Sequence, residues 1–287
     1  MSGIAELLAG PAAADEAIAR AAATAGAADL ELVARDEARL LRHPAIVAAM
    51  FANRAAPMAL VNRAVAACVR AGVRVDGIPG FDDVAAAFKA EPAAAVEGAA
   101  LAAFDEALAT AQRMDAAGVG TEAADADADA DADGDTEGDG AAAKPERKRK
   151  GAVIDFGKLK LFEKIRLATL GNAFCRQTLL RDSNRLVAMA AIRSPGITDL
   201  EVIRAAGNRA VSEDVIRYIA NSKEYLKLYP VKLSLVGNPK CPLALTLKML
   251  PTLRPEDLKN VARSKNVPNA LSTAARKLVT ARNPTNS

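Results

Sequence analysis

The chain has 287 residues, 51% hydrophobic but only 3% aromatic, so alanine supplies much of the apolar content and favours helix over sheet. Lys+Arg 38 against Asp+Glu 35 gives a net charge of +3, and one histidine with three cysteines excludes most zinc sites, haem sites and His-based catalytic relays. The length allows one or two domains with a sizeable core.

The opening run MSGIAELLAGPAAADEAIARAAA has no basic segment before an apolar one, so it does not read as a secretory signal. Glu6, Asp15 and Glu16 also set it apart from acid-poor transit peptides. No stretch reaches the ~18 apolar residues that span a bilayer. Cys68, Cys175 and Cys241 are odd in number and far apart, which predicts free thiols and a cytoplasmic protein.

Ala-rich windows predict helices over 4–9, 13–25 and 29–42. Pro44 suits the first turn of a helix running through 45–52. The next helix, 58–72, is stopped by Gly72, and 73–81 is a loop turning at Gly77 and Pro79-Gly80. Helices near 82–90 and 94–113 complete an Ala-rich helical segment, 1–113.

Residues 114–150 read as a disordered linker. TEAADADADADADGDTEGDG at 121–140 carries nine acids and no base, and Lys144-Pro145-Glu146-Arg147-Lys148-Arg149-Lys150 follows. Neither run has apolar surface to offset the entropy of ordering. The alternating aspartates are not an EF-hand loop: with Asp129 first and Gly134 sixth, the twelfth position falls on Gly140 instead of a glutamate. The linker separates unlike halves. Residues 1–120 carry 10 basic and 15 acidic side chains, whereas 151–287 carry 23 basic and 10 acidic, a net +13. The acidic tract is therefore expected to compete for the basic half electrostatically.

Residues 151–287 predict short helices near 158–170, 175–181, 184–192, 198–206, 212–221, 224–236, 242–250, 255–263 and 268–281. Thr198-Asp199 and Ser212-Glu213-Asp214 fit N-caps with first-turn acids, and Pro242, Pro255 and Pro268 fit first turns. Gly171-Asn172, Gly207-Asn208 and Gly237-Asn238 fit left-handed helix ends. These pairs also mark an internal repeat. LATLGNAFCRQTLL, VIRAAGNRAVSEDVI and LSLVGNPKCPLALTL each run from an apolar helix through Gly-Asn to a small apolar residue (Cys175, Val211, Cys241) and a second helix. Weaker copies are MFANRAAPMALV, AAIRSPGITDLEVI and VARSKNVPNALSTA. Helices this short order only against neighbours, so the expected fold is all-α, an α-solenoid of short helical repeats.

LSLVGNPKCPLALTLKML resembles a HEAT-like or leucine-rich-repeat-variant unit, in which an apolar helix ends at Asn-Pro and a Thr or Pro opens the next. The resemblance spans roughly 160–282, with an echo at 40–70. It implies a curved helical array that binds a macromolecule instead of catalysing a reaction. Some variant-repeat proteins carry an amino-terminal four-cysteine iron–sulfur cluster; with only Cys68 in the front half, none is implied here.

No phosphate loop, nucleophile elbow or metal-ligand cluster appears, so neither an enzyme nor a cofactor is expected. Cys175 and Cys241 align with Val211, which predicts core packing for both, and Cys68 reads likewise. His43, in RLLRHPAIVAAM, has no nearby hydroxyl and reads as a helix-start residue. The best functional lead is the positive surface of the back half: Arg204, Arg209, Arg217, Lys223, Lys227, Lys232 and Lys240, with Tyr225 and Tyr229 expected on one helix face. Arg147, Lys148 and Arg149 add a basic arm. The expected function is a non-enzymatic adaptor binding an acidic protein. The alternative is binding to a DNA or RNA backbone, which the scarcity of aromatics disfavours for single strands.

Overall fold

The computed structural model describes residues 15–90, 99–116 and 154–282. All regular structure among them is helical, with no strand. The front half contains α1 (Asp15–Ala22), α2 (Ala27–Arg35), α3 (Glu37–Arg42), α4 (Pro44–Ala52), α5 (Met58–Ala71), α6 (Phe81–Ala90) and α7 (Ala99–Ala116). The back half contains α8 (Leu161–Leu170), α9 (Ala173–Leu179), α10 (Arg185–Ile192), α11 (Asp199–Gly207), α12 (Glu213–Asn221), α13 (Tyr229–Gly237), α14 (Leu243–Met249), α15 (Pro255–Arg263) and α16 (Asn269–Arg282). The helix expected at 4–9 and most of the linker expected at 114–150, with its acidic tract and Arg147, Lys148 and Arg149, lie outside the described residues.

Local chemistry sets the boundaries. The single helix expected over 29–42 is two, because the Asp36 side chain accepts from the Arg39 N–H at 3.0 Å and opens α3 afresh. Gly72 ends α5 at φ 70°, the left-handed cap that the sequence predicts. Thr198 and Glu201 form a capping box at the start of α11, with the Glu201 carboxylate 2.8 Å from the Thr198 N–H. Ser212 makes no such bond; its hydroxyl is buried without a hydrogen-bond partner. The helix expected over 224–236 is interrupted. Residues 225–227 form a 3-10 turn, Leu228 is extended, and α13 starts at Tyr229. Pro230 has no N–H to give the carbonyl four residues back, so the helix cannot run through it.

Packing is mostly between near neighbours in the chain. In the back half α8 packs on α10, α9 on α11, α10 on α12, α11 on α13, α13 on α15 and α14 on α16. In the front half α1 packs on α4, while α5 contacts α2, α3, α4, α6 and α7.

The two halves are joined through α8, which packs against α4, α6 and α7. Four of the seven phenylalanines gather there. The Phe162 ring lies 5.7 Å from Phe51 and 5.4 Å from Phe88, and the Arg166 guanidinium sits 5.0 Å above Phe104. Arg166 is fully buried, and burial pushes its guanidinium down to about 10. It donates to the carbonyls of Phe51 (3.1 Å), Asn53 (2.9 Å) and Ala56 (2.8 Å), in the last turn of α4 and the loop that follows it. Carbonyls at and just beyond a helix end lack the intrahelical partner, so one planar fork reaches three of them.

Candidate interaction surface

After α4, α11, α13 and α15 the chain makes one turn of five residues, at 53–57, 208–212, 238–242 and 264–268. The first side chain (Asn53, Asn208, Asn238 or Ser264) accepts from the N–H of the third residue, at 2.8, 2.7, 2.9 and 3.2 Å. The fourth residue (Ala56, Val211, Cys241 or Val267) is small, apolar and buried. The fifth is Pro57, Ser212, Pro242 or Pro268, immediately before the next helix, where no N–H is needed.

These turns correct the expected left-handed ends. Asn172, Asn208 and Asn238 have φ of −80°, −81° and −91°, and the only positive-φ residues described are Gly72, Gly77 and Gly80. The asparagine side chain supplies the cap, so the glycine before it need not turn. The three Gly-Asn pairs are also unequal. Asn172 opens α9 directly by accepting from the Cys175 N–H at 2.9 Å, without the five-residue turn. Gly171 is required by crowding, since a Cβ there would meet the Leu167 carbonyl oxygen at 2.5 Å and the Cys175 Cβ at 2.8 Å. The weaker sequence copies at 53 and 264 match the turns at 208 and 238, and Gly171-Asn172 does not.

Two of these side chains, Asn53 and Asn238, also bind their unit to the one before it. Asn53 donates to the carbonyls of Ala22 and Ala25, both at 2.8 Å, holding the end of α4 beside the end of α1. Ser194 does this for α10 on α8, through the Thr169 carbonyl at 3.0 Å. Asn238 reaches the carbonyls of Ala206 (2.8 Å) and Asn208 (3.3 Å), placing the end of α13 beside the end of α11. At the opposite ends, the Tyr229 hydroxyl accepts from the Arg254 N–H at 3.0 Å and bonds Asp257, so α13 and α15 start together. Helices α11, α13 and α15 therefore run side by side in one direction.

This geometry sorts the expected binding residues. Arg209 and Lys240 follow the C-terminal ends of α11 and α13 and lie along one edge, joined by Lys265, which the sequence reading missed. Lys240 Nζ donates to the Val211 carbonyl of the preceding turn at 2.8 Å. Lys223, Tyr225 and Lys227 precede α13, about 13 Å away along a nine-residue helix. Arg204 and Lys232 lie within α11 and α13. Arg217, on α12, is ion-paired with Glu213. Tyr225 and Tyr229 do not share a helix face, as the interruption at Leu228 separates them. Tyr225 packs on Tyr218 at 6.4 Å, and Tyr229 lies beneath the Arg254 guanidinium at 4.6 Å. No carboxylate among the described residues lies within ion-pair distance of Arg209, Lys240 or Lys265, while Asp214 pairs with Arg185 at 3.0 Å and Glu201 with Arg176 at 2.9 Å. The signal for Lys265 is its place directly after the capping Ser264, as Arg209 follows Asn208 and Arg54 follows Asn53.

The thiols sit in apolar surroundings. Cys68, Cys175 and Cys241 are free and buried, and burial pushes Cys175 and Cys241 up to about 11. No group of three or more potential metal ligands occurs among the described residues. His43 has a neighbour that the sequence did not reveal. Its Nε2 lies 2.6 Å from Oδ2 of the buried Asp15, whose Oδ1 is 3.0 Å from Arg39 Nε. These three side chains brace α1 against α3 and the start of α4. A 300 Å³ cleft beside them is lined by Asp15, Glu16, Ala19, Arg20, His43 and Ala45, which offer no hydroxyl or thiol to activate.

No described helix is long and apolar enough to cross a membrane. No protein-family model matches the chain, and neither a curated protein nor a solved structure matches it.

Proposed function

We propose that residues 161–282 form an α-solenoid, a two-layered row of short helical repeats of HEAT-like or leucine-rich-repeat-variant type, that works as a non-enzymatic adaptor. Its partner is an acidic protein, held along the edge where Arg209, Lys240 and Lys265 follow one another. The observation that carries this reading is the repeated turn. Cap, cation and buried plug recur in consecutive units, and among the described residues no carboxylate lies within ion-pair distance of these cations. A helix dipole favours a cation beyond each C-terminus. It does not account for three successive cations with no described carboxylate paired to them. Binding to a nucleic-acid backbone is the second reading, favoured by the net +13 of residues 151–287.

The deciding experiment uses the full chain as bait in a cell extract, with and without nuclease, beside an Arg209→Glu/Lys240→Glu/Lys265→Glu variant. Nuclease-resistant capture of an acidic protein, lost in the variant, supports the adaptor reading. Capture that disappears with nuclease moves the assignment to nucleic acid, and capture unchanged in the variant removes the edge from the reading.

A further inference from the structure

We infer that the solvent-facing side of α11 and α13 anchors apolar side chains of the acidic partner, whose carboxylates then lie toward the basic edge. The inference rests on the adaptor reading and adds the chemistry of the segment bound, an apolar stretch adjoining acids.

It follows from three helices in one register. The capping residues Asn208, Asn238 and Ser264 directly follow α11, α13 and α15, so the helices align backward from them. Ala205, Leu235 and Val261 are buried at one aligned position, and Ala206, Val236 and Ala262 at the next. The opposite side therefore faces solvent in all three. In α15 that side carries Glu256, Lys259 and Arg263, all exposed, as an exterior requires. The same positions are Pro230, Leu233 and Gly237 in α13 and Leu200, Ile203 and Gly207 in α11. A fourth position is polar throughout, as Arg204, Ser234 and Asn260. Leu200 is 55% exposed, more than any other large apolar side chain among the described residues. Because α15 fills these positions with charged residues, the fold does not demand apolar ones in α11 and α13. Apolar side chains gathered on an exterior mark a contact surface.

Two further features suit a docked segment. Neither Gly207 nor Gly237 has a positive φ. A Cβ on Gly237 would meet nothing within 4 Å, and one on Gly207 would make ordinary contact with Ser234 at 3.7 Å. Glycine weakens a helix relative to alanine, so the effect of these two lies toward solvent, where a missing side chain lets another chain approach. Charge on this side is also polarised. Asp199 and Glu256 lie in the first turns of α11 and α15, whereas Arg209, Arg263 and Lys265 lie at or just beyond the helix ends. With α11, α13 and α15 running in one direction, the acids of a bound segment settle toward those ends and its apolar residues on Leu200, Ile203 and Leu233. A phosphate backbone offers no apolar group to cover Leu200.

The test uses the full chain and fluorescent peptides, read by anisotropy. One peptide is Leu-Ser-Leu-Ser-Asp-Asp-Asp-Asp; in the other, alanine replaces both leucines. The leucine peptide is expected to bind about tenfold more tightly, through apolar area removed from water. Raising the salt from about 50 to about 500 mM should weaken both peptides and keep their ratio, since screening acts on the ion pairs alone. Two variants locate the effect. One is Leu200→Gln/Ile203→Gln/Leu233→Gln, checked for native helicity. The other is Gly237→Gln, which fills open space and is expected to melt no lower than the parent. Both should abolish the leucine preference and retain binding of the alanine peptide. A preference that persists in either variant overturns the assignment to this face. Equal binding of the two peptides, weakened in Arg209→Glu/Lys240→Glu/Lys265→Glu, overturns the apolar anchor and leaves the basic edge standing. Binding of neither peptide, or alanine-peptide binding that the charge variant does not alter, overturns the adaptor reading as well. Self-association of the parent chain that the triple glutamine variant abolishes gives the face to a second copy and overturns the proposal.

Discussion

Arg166 Nη2 lies 2.9 Å from the carbonyl oxygen of Asn53, a residue 113 positions earlier in the chain. Asn53 in turn donates to the ends of α1 and of the turn after it. A single charged side chain thus closes the front half and ties it to the back half.

Replacing Arg166 with alanine removes the donors of three buried carbonyls and leaves a void beneath Phe104. Loss of about 3–5 kcal/mol is expected, on the scale of breaking a buried charged network. Urea denaturation followed by circular dichroism should show an earlier transition. A midpoint equal to that of the parent chain would refute the role given to this residue.

The same join predicts that the halves stay together without a covalent link. A protease site placed within 121–140 and cut under native conditions should yield two fragments that co-elute on size exclusion. Separate elution of the fragments would contradict the buried Phe162–Arg166 interface.

Asn238 satisfies two carbonyls of the preceding unit and one N–H of its own turn. Asn238→Ala is expected to destabilise by about 1–3 kcal/mol, since buried groups lose their partners. Asn238→Asp keeps the acceptor and loses the donor, so it should also destabilise. A neutral Asn238→Asp would show that the backward bonds contribute little.

Leu235 is fully buried between α13 and its neighbours, and Lys265 is exposed on the turn edge. Leu235→Asp should cost about 4 kcal/mol or more, while Lys265→Glu should stay within about 0.5 kcal/mol and weaken acidic-ligand binding. A soluble Leu235→Asp protein with parental stability would be incompatible with this packing.

Burial raises the Cys175 and Cys241 thiols to about 11, above their value of 9.0 when unburied. Above pH 9 the unfolded chain releases these protons first, so it binds fewer than the native state. The stabilising contribution is present below pH 9 and is lost between about pH 9 and pH 11. Stability by urea denaturation should fall across that window, and less steeply in a Cys175→Ala/Cys241→Ala chain. Identical slopes in the two chains would exclude these thiols as the source.

Much of this organisation is legible in the residues. Helix ends follow from Gly72, from the Thr198–Glu201 box and from the prolines at 242, 255 and 268, because each acts through its own backbone. The buried register of Cys175, Val211 and Cys241 is likewise visible, since a small apolar residue after a polar cap admits few settings. What escaped depends on distant partners. Gly-Asn looks like a left-handed stop, yet at Asn172 and Asn238 the amide bonds a carbonyl of a preceding helix, which no local pattern discloses. The Asp15–His43 contact and the burial of Arg166 also arise from packing across long separations. Lys265 was overlooked because its turn begins with Ser264 in place of Gly-Asn.

Among the described residues, the bonds from side-chain donors to distant backbone carbonyls all point the same way along the chain. Asn53, Arg166, Asn172, Ser194, Asn238, Lys240 and Arg282 each donate to a carbonyl that precedes them. A ribosome releases the acceptors first, so every newly emerging donor meets a carbonyl already synthesised. Maturation can thus advance from the amino terminus, each arriving segment docking on finished structure without waiting for sequence still to come.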